Sequence, residues 1–110
     1  MFKNFEDLHK AYGFDDGIKS RTDLTEEQEI NFVNDCYDTY EHIGFAETFK
    51  SPYEQYKPYN GQSFEVLERV LMNENNLGFD LEQLPVWKIR FASGFETFAY
   101  PEEICLAERK

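Results

Sequence analysis

Candidate nucleophiles and bases are few in this chain. Its cysteines are Cys36 and Cys105, and its histidines are His9 and His42. A catalytic thiol needs a base within hydrogen-bond reach, and neither cysteine has a histidine within one helical turn of it in the sequence. The sequence therefore gives no catalytic pair, and we expect a protein that is not an enzyme.

Metal and cofactor ligands also lack the spacing that their sites require. Neither cysteine has a second cysteine or histidine at zinc-site spacing. Asp15 and Asp16 precede Gly17 without the further ligands of a calcium loop, and glycine-rich phosphate loops are absent. We expect no metal, no cofactor and two reduced cysteines that pack as small hydrophobic residues.

Carboxylates, in contrast, are in large excess. The chain holds 22 acidic and 11 basic residues, which gives a net charge of -11, and 13 of the acids lie in residues 1–55 with only 5 of the bases. Charge of this sign repels nucleic acids and anionic membranes, so direct binding to either is not expected. Aromatic residues make up 17% of the chain, which favours a folded core over a disordered acidic tail.

Helical spacing gathers several acids on one face of a helix predicted over residues 26–43. At 100° per residue, six acidic and amide side chains fall on its polar face. We name them the acidic ridge: Glu27, Asn31, Asn34, Asp35, Asp38 and Glu41. The helix contains no lysine or arginine, so neighbouring acids repel each other by a few tenths of a kcal/mol per pair. This predicts that the ridge binds a basic partner, with an ordinary solvated face as the alternative.

The ends of that helix are marked in the sequence. Thr25 and Gln28 have the spacing of a capping box, and Gly44 is placed to end the helix. Apolar residues from Ile30 to Ile43 recur every three or four positions and should face a core. We also expect a helix over residues 4–12, a turn at 13–17 and a further helical turn at 45–49.

The period of apolar residues changes in the second half of the chain. Residues 87–91 alternate between apolar and basic, which predicts a strand, and a turn at Gly94 returns the chain as a second strand over 95–100. Pro101 should then begin a tight turn. Residues 64–71 favour a strand, with a helix as the alternative.

The length fits a single domain over residues 1–110. We divide it into a helical part (1–50), a connector rich in tyrosine and proline (51–61) and a β part (62–110). No apolar run is long enough for a signal peptide or a membrane span, so we expect a cytoplasmic protein.

The β part resembles the small barrels of the SH3-like and Tudor-like families over residues 59–105. The likeness is carried by residues 59–61 and 64–67, residues 84–91, the turn at Gly94 and residues 99–104. It implies an α+β fold in which N-terminal helices pack on an antiparallel SH3-like barrel. In a Tudor-like barrel Tyr59, Trp87 and Phe98 could form an aromatic cage for a methylated cation, although such residues are more often core.

In composition the whole chain resembles small acidic accessory proteins that phages and mobile elements of Gram-positive bacteria encode, among them anti-CRISPR and antirestriction proteins. That resemblance implies an inhibitor that presents carboxylates in place of phosphates. We therefore expect a non-enzymatic, DNA-mimicking inhibitor whose acidic ridge binds the basic surface of a host DNA-handling protein, such as a nucleic-acid-binding enzyme. The alternative is a structural or adaptor barrel whose acidity serves only solubility.

Overall fold

The fold combines helices with one antiparallel sheet. The computed structural model describes residues 2–14, 17, 19–71 and 80–108, so Asp15 and Asp16 of the predicted turn lie outside the described residues. The helices and strands are α1 (Phe5–Ala11), α2 (Glu26–Ile43), β1 (Phe64–Arg69), β2 (Trp87–Phe91), β3 (Glu96–Ala99) and α3 (Pro101–Ile104). Short 3₁₀ turns occur at Arg21–Asp23, Glu54–Tyr59, Leu81–Gln83 and Leu106–Glu108.

Helix α2 has the bounds that the sequence predicts. The Thr25 hydroxyl accepts the Gln28 backbone N–H at 3.2 Å, and the Gln28 side chain accepts the Thr25 N–H at 3.0 Å. At the other end Gly44 adopts a positive φ of 113°, and its N–H donates to the Tyr40 carbonyl at 2.9 Å. Capping at both ends satisfies backbone groups that a helix leaves without partners, which fixes where α2 begins and ends.

The three strands form an antiparallel sheet in the order β1-β2-β3. Phe64 pairs with Phe91 in the first ladder, and Trp87 pairs with Ala99 in the second. A register shift interrupts β1 between Val66 and Glu68. The prediction of a strand at 64–71 is confirmed for Phe64–Arg69, the extent of β1. The hairpin predicted around Gly94 is also confirmed.

The α+β class is confirmed, but the sheet that the described residues form does not close into a barrel. Helix α2 covers the apolar face of the sheet. There the rings of Tyr37 and Tyr40 meet the Trp87 indole edge-on, at 5.1 and 5.7 Å between centroids. A helix in that place removes the need for a second layer of strands. The helical turn predicted at 45–49 is wrong, since Phe45 forms an isolated β-bridge with Cys105.

The core lies between α2 and the sheet. Trp87 and Ile89 point into it from β2, and both are fully buried. Helix α2 contributes Val33 and Tyr37 from the opposite side. This packing leaves the first part of the acidic ridge exposed to solvent. Within the described ranges, no helix combines the length and the apolar character that crossing a membrane requires.

Candidate interaction surface

The acidic ridge divides into two halves along α2. Glu27, Asn31 and Asn34, in the first half, are exposed to solvent. Asp35 and the two acids after it are half-buried. The second half is partly covered because side chains from α1 and β1 reach this part of the helix. The six residues therefore share a face, as predicted, but they do not form one continuous open surface.

Arg69 of β1 neutralises the end of the ridge. Its Nε donates to Glu41 Oε2 at 2.6 Å, and one terminal nitrogen donates to Glu41 Oε1 and to Asp38 Oδ1, both at 2.9 Å. The guanidinium also lies over the Tyr37 ring, 5.2 Å from its centroid. The expectation that the ridge acids lack a cation of their own is therefore wrong for Asp38 and Glu41. Absence of basic residues from α2 said nothing about a cation on a distant strand.

Glu41 is held as a carboxylate by two donors. Burial by itself would raise its pKa, but hydrogen bonds from Arg69 and from the Trp87 indole outweigh this and lower the pKa below 4.5. The indole N–H donates to Glu41 Oε2 at 3.1 Å. The same carboxylates raise the pKa of Arg69, so this guanidinium stays charged. Glu41 thus ties α2 to both β1 and β2.

Asp35 is bound from the other side by Tyr12, the residue that follows α1. The Tyr12 hydroxyl donates to Asp35 Oδ2 at 2.6 Å. The pKa of Tyr12 is raised, first by burial and then by the hydrogen bond to Asp35. The Asp35 carboxylate is therefore part of the α1–α2 contact. Reversing the charge of Asp35 would disturb packing as well as any surface that it contributes to.

An excess of negative charge remains at the N-terminal end of α2, where the ridge begins. Arg21 pairs with Glu29 at 3.7 Å and donates to the backbone carbonyl of Leu84. Its guanidinium is therefore held against the body of the protein. Glu26 and Glu27 are exposed, and among the described residues no lysine or arginine forms an ion pair with either. The open, uncompensated part of the surface is formed by Glu26, Glu27, Asn31 and Asn34.

The Arg69 contact predicts a pH-dependent effect on stability. Replacing Arg69 by methionine should lower the free energy of unfolding by about 1 kcal/mol at neutral pH, because charge-assisted but partly exposed hydrogen bonds are lost. The folded-state pKa of Glu41 is depressed, so its stabilisation is complete above the ordinary value of 4.5 and is lost as pH falls through the folded-state pKa. Chemical denaturation of both proteins between pH 3 and 7 measures the difference.

The control for this prediction is Lys57→Met, which removes an exposed ion pair with Glu54 at 3.2 Å. We expect its effect on unfolding to be close to zero at every pH, because solvent screens such pairs. A stability difference between wild type and Arg69→Met that persists undiminished at pH 3 would contradict the role given to Glu41.

The candidate nucleophiles and bases are not presented as a catalytic pair. Cys36 and Cys105 are buried and reduced. Burial raises the pKa of the Cys36 thiol to about 12, which keeps it protonated at neutral pH. His9 is exposed and lies between the rings of Phe5 and Phe14, at 6.2 and 6.1 Å from their centroids. His42 is exposed near the end of α2.

The aromatic cage suggested by the Tudor-like resemblance is not assembled. Trp87 is fully buried in the core. Tyr59 stacks on Phe91 and Phe95 at 4.7 and 4.9 Å between centroids. Phe98 lies on β3 and packs, partly buried, against the core. Trp87 is therefore a core residue, as alternating aromatics most often are.

Arg69 is the important residue that sequence reasoning missed. It lies 28 and 31 positions from the two acids that it contacts, and no local pattern links residues so far apart. The alternation of side chains along β1 could have predicted on which face of the sheet Arg69 lies. The register shift beside Glu68 interrupts that alternation before it reaches Arg69. Only the packing of β1 beside α2 brings Arg69 to the ridge.

The described residues contain no group of three or more histidine, cysteine, aspartate or glutamate side chains arranged to hold a metal ion. Comparison of the chain with protein-family models, with curated protein sequences and with solved structures finds no match in any of the three.

Proposed function

We propose that this protein is a non-enzymatic interaction protein whose acidic surface binds a basic surface of another protein. One observation carries the proposal: the first half of the ridge is exposed, and neither its acid Glu27 nor the neighbouring Glu26 has an ion pair with a cation in the described part of the chain. Exposed like charges of this kind favour a partner of opposite charge and speed its approach.

The finer proposal is that the partner handles DNA and that the ridge acids take the place of phosphates. Carboxylates on one helix face stand roughly 5 to 6 Å apart, close to the spacing along a nucleic-acid strand. Arg69 already neutralises Asp38 and Glu41, so the mimic would be confined to Glu26 and Glu27 with the exposed amides Asn31 and Asn34. Resemblance to inhibitors from phages and mobile elements supports the choice of a host DNA-handling protein as partner.

The test uses variants at the exposed end of α2. Glu27→Lys, Asn31→Lys and Asn34→Lys, combined in one chain, should abolish capture of a basic protein from a Gram-positive lysate. All three side chains are exposed, so the fold should tolerate the change. The matched control is Glu47→Lys, which reverses an exposed acid outside the ridge and should capture as well as wild type.

Two further measurements decide the nature of the captured partner. Binding through carboxylates should weaken steeply as salt rises to about 0.5 M, because ions screen exposed charges over a few ångströms at that strength. A partner that handles DNA should be released when duplex DNA is added. Capture that survives the triple substitution, or that ignores both salt and DNA, would contradict the proposal.

A second candidate is a structural or adaptor protein whose acidity serves only solubility. Two observations favour it. Arg69 pairs the last ridge acids within the chain, and the first turn of α2 places Glu26 and Glu27 where the helix dipole stabilises negative charge. Salt-insensitive binding that is lost on changing Lys88 or Arg90 of β2 would favour this candidate over the first.

A further inference from the structure

The connector ends on a chemically reactive dipeptide, Asn60–Gly61. In such a pair the backbone nitrogen of the glycine can attack the side-chain carbonyl carbon of the asparagine, because glycine has no Cβ that would shield its nitrogen. Asn60 is the only asparagine in this sequence that a glycine follows. The dipeptide lies outside α2 and takes no part in the acidic ridge.

The fold binds the attacking nitrogen. The Gly61 N–H donates to the Phe49 carbonyl at 2.9 Å, and the Phe49 N–H donates to the Gln62 carbonyl at 2.9 Å. Phe49 is buried, and its ring meets the Phe91 ring edge-on at 5.2 Å between centroids. The nitrogen must lose its proton to a base before it attacks, so the bond to the Phe49 carbonyl prevents the first step of the reaction while it is formed.

The side chain of Asn60 is bound as well. Its Oδ1 accepts the Ser51 backbone N–H at 2.7 Å, and its Nδ2 donates to the Ser51 carbonyl at 3.3 Å. Ser51 is buried, although Asn60 itself is exposed. The reaction expels Nδ2 as ammonia, so the bond from Nδ2 to the Ser51 carbonyl must also break before Asn60 can react.

We propose that Asn60 is a site of spontaneous deamidation that reacts only when the segments 49–51 and 60–62 separate. In that open state the Gly61 nitrogen loses its proton to solvent and attacks Cγ of Asn60. The bond from Cγ to Nδ2 breaks, and the nitrogen takes a proton from water and leaves as ammonia. Water then opens the succinimide at either of its carbonyl carbons, which gives aspartate or isoaspartate. In sum, the amide and one water become a carboxylic acid and ammonia.

Neither product can restore the closed arrangement. Aspartate places an anionic oxygen opposite the Ser51 carbonyl, where Nδ2 donated a hydrogen bond, so that an attraction becomes a repulsion. Isoaspartate adds a carbon atom to the main chain between positions 60 and 61, which displaces Gly61 from its bond to Phe49. Deamidation therefore makes an opening of the connector permanent and adds a negative charge to the chain.

The test incubates the protein in mildly alkaline buffer and follows residue 60 by mass spectrometry of proteolytic peptides. The reference is a blocked peptide with the sequence of residues 59–62, which has the same neighbours and no fold. Because only the open state reacts, the rate in the protein should equal the rate in the peptide multiplied by the open fraction. We expect the protein to react at least about tenfold more slowly than the peptide.

Hydrogen exchange of the Gly61 amide measures the open fraction independently, since the same N–H must be released in both processes. The slowing of deamidation should be at least as large as the protection of this amide. Phe49→Leu keeps an apolar side chain but removes the ring that packs on Phe91, so it should speed deamidation about fivefold. The matched control is Tyr12→Phe, which removes the hydrogen bond to Asp35 at a distant place and should leave the rate unchanged.

Several results would overturn the proposal. These are reaction of the protein as fast as the peptide, slowing that is smaller than the protection of the Gly61 amide, or equal effects of Phe49→Leu and Tyr12→Phe. If Phe49→Leu does not fold, wild type in urea below its unfolding transition decides. No reaction at urea concentrations where the Gly61 amide exchanges freely would also overturn it. The triple lysine variant of α2 should react like wild type, so this test is independent of the ridge proposal.

Discussion

Replacing Trp87 by alanine is expected to lower the free energy of unfolding by about 4 kcal/mol. The indole is fully buried, and the rings of Tyr37, Tyr40 and Phe45 meet it edge-on at 5.1, 5.7 and 5.5 Å between centroids. Alanine would leave a cavity at the place where α2 meets the sheet. Since small domains are stable by only about 5 to 15 kcal/mol, the variant should unfold at much lower denaturant concentration.

The measurement is chemical denaturation followed by far-ultraviolet circular dichroism, which needs no tryptophan signal. Trp87→Phe is the matched control because it keeps a ring at the centre of the cluster. It loses part of the indole area and the N–H donated to Glu41, so it should cost clearly less than alanine. Equal effects of the two variants would show that the ring cluster does not hold α2 on the sheet.

Replacing Tyr37 by phenylalanine is expected to cost about 2 kcal/mol, although only one oxygen is removed. The buried hydroxyl accepts the Val86 backbone N–H at 3.1 Å, and the carbonyls of Val70 and Val86 both lie within reach of its proton. Phenylalanine would remove this partner from the Val86 N–H and the Val70 carbonyl in a buried place, while the Val86 carbonyl would still accept the Val70 N–H at 2.9 Å. The large effect follows from burial of the partners and not from the hydroxyl itself.

Tyr40→Phe is the control for that prediction. Its hydroxyl donates to Glu108 at 2.7 Å, but Glu108 is exposed, so water can replace the lost donor. Unfolding experiments on both variants should show a loss of about 0.5 kcal/mol for Tyr40→Phe, well below that for Tyr37→Phe. Similar losses would mean that the Tyr37 hydroxyl does not connect α2 to the end of β1 and the start of β2.

Local sequence signals located the helices and strands well. Thr25, Gln28 and Gly44 act on their own neighbours in the chain, so the ends of α2 could be derived without knowledge of the fold. Alternation in residues 87–91 likewise predicted β2 and its dry face. Such patterns work because the interactions that produce them span only a few residues.

The same sequence patterns could not show whether the sheet closes into a barrel. They also could not show which residues pair with the ridge acids. The strands are compatible with a barrel until α2 is known to cover their dry face. Arg69 is one basic residue among eleven, and its pairing with Asp38 and Glu41 depends on β1 passing beside α2.

The sequence by itself determined where α2 begins and ends and which segments form strands. It also determined the large negative charge and the absence of familiar catalytic or metal-binding motifs. The tertiary structure decided which acids stay exposed, which acids pair with Arg69 and which face of the sheet is covered. The reason is physical: capping and alternation act between neighbours in the chain, whereas charge pairing and burial depend on residues that only folding brings together.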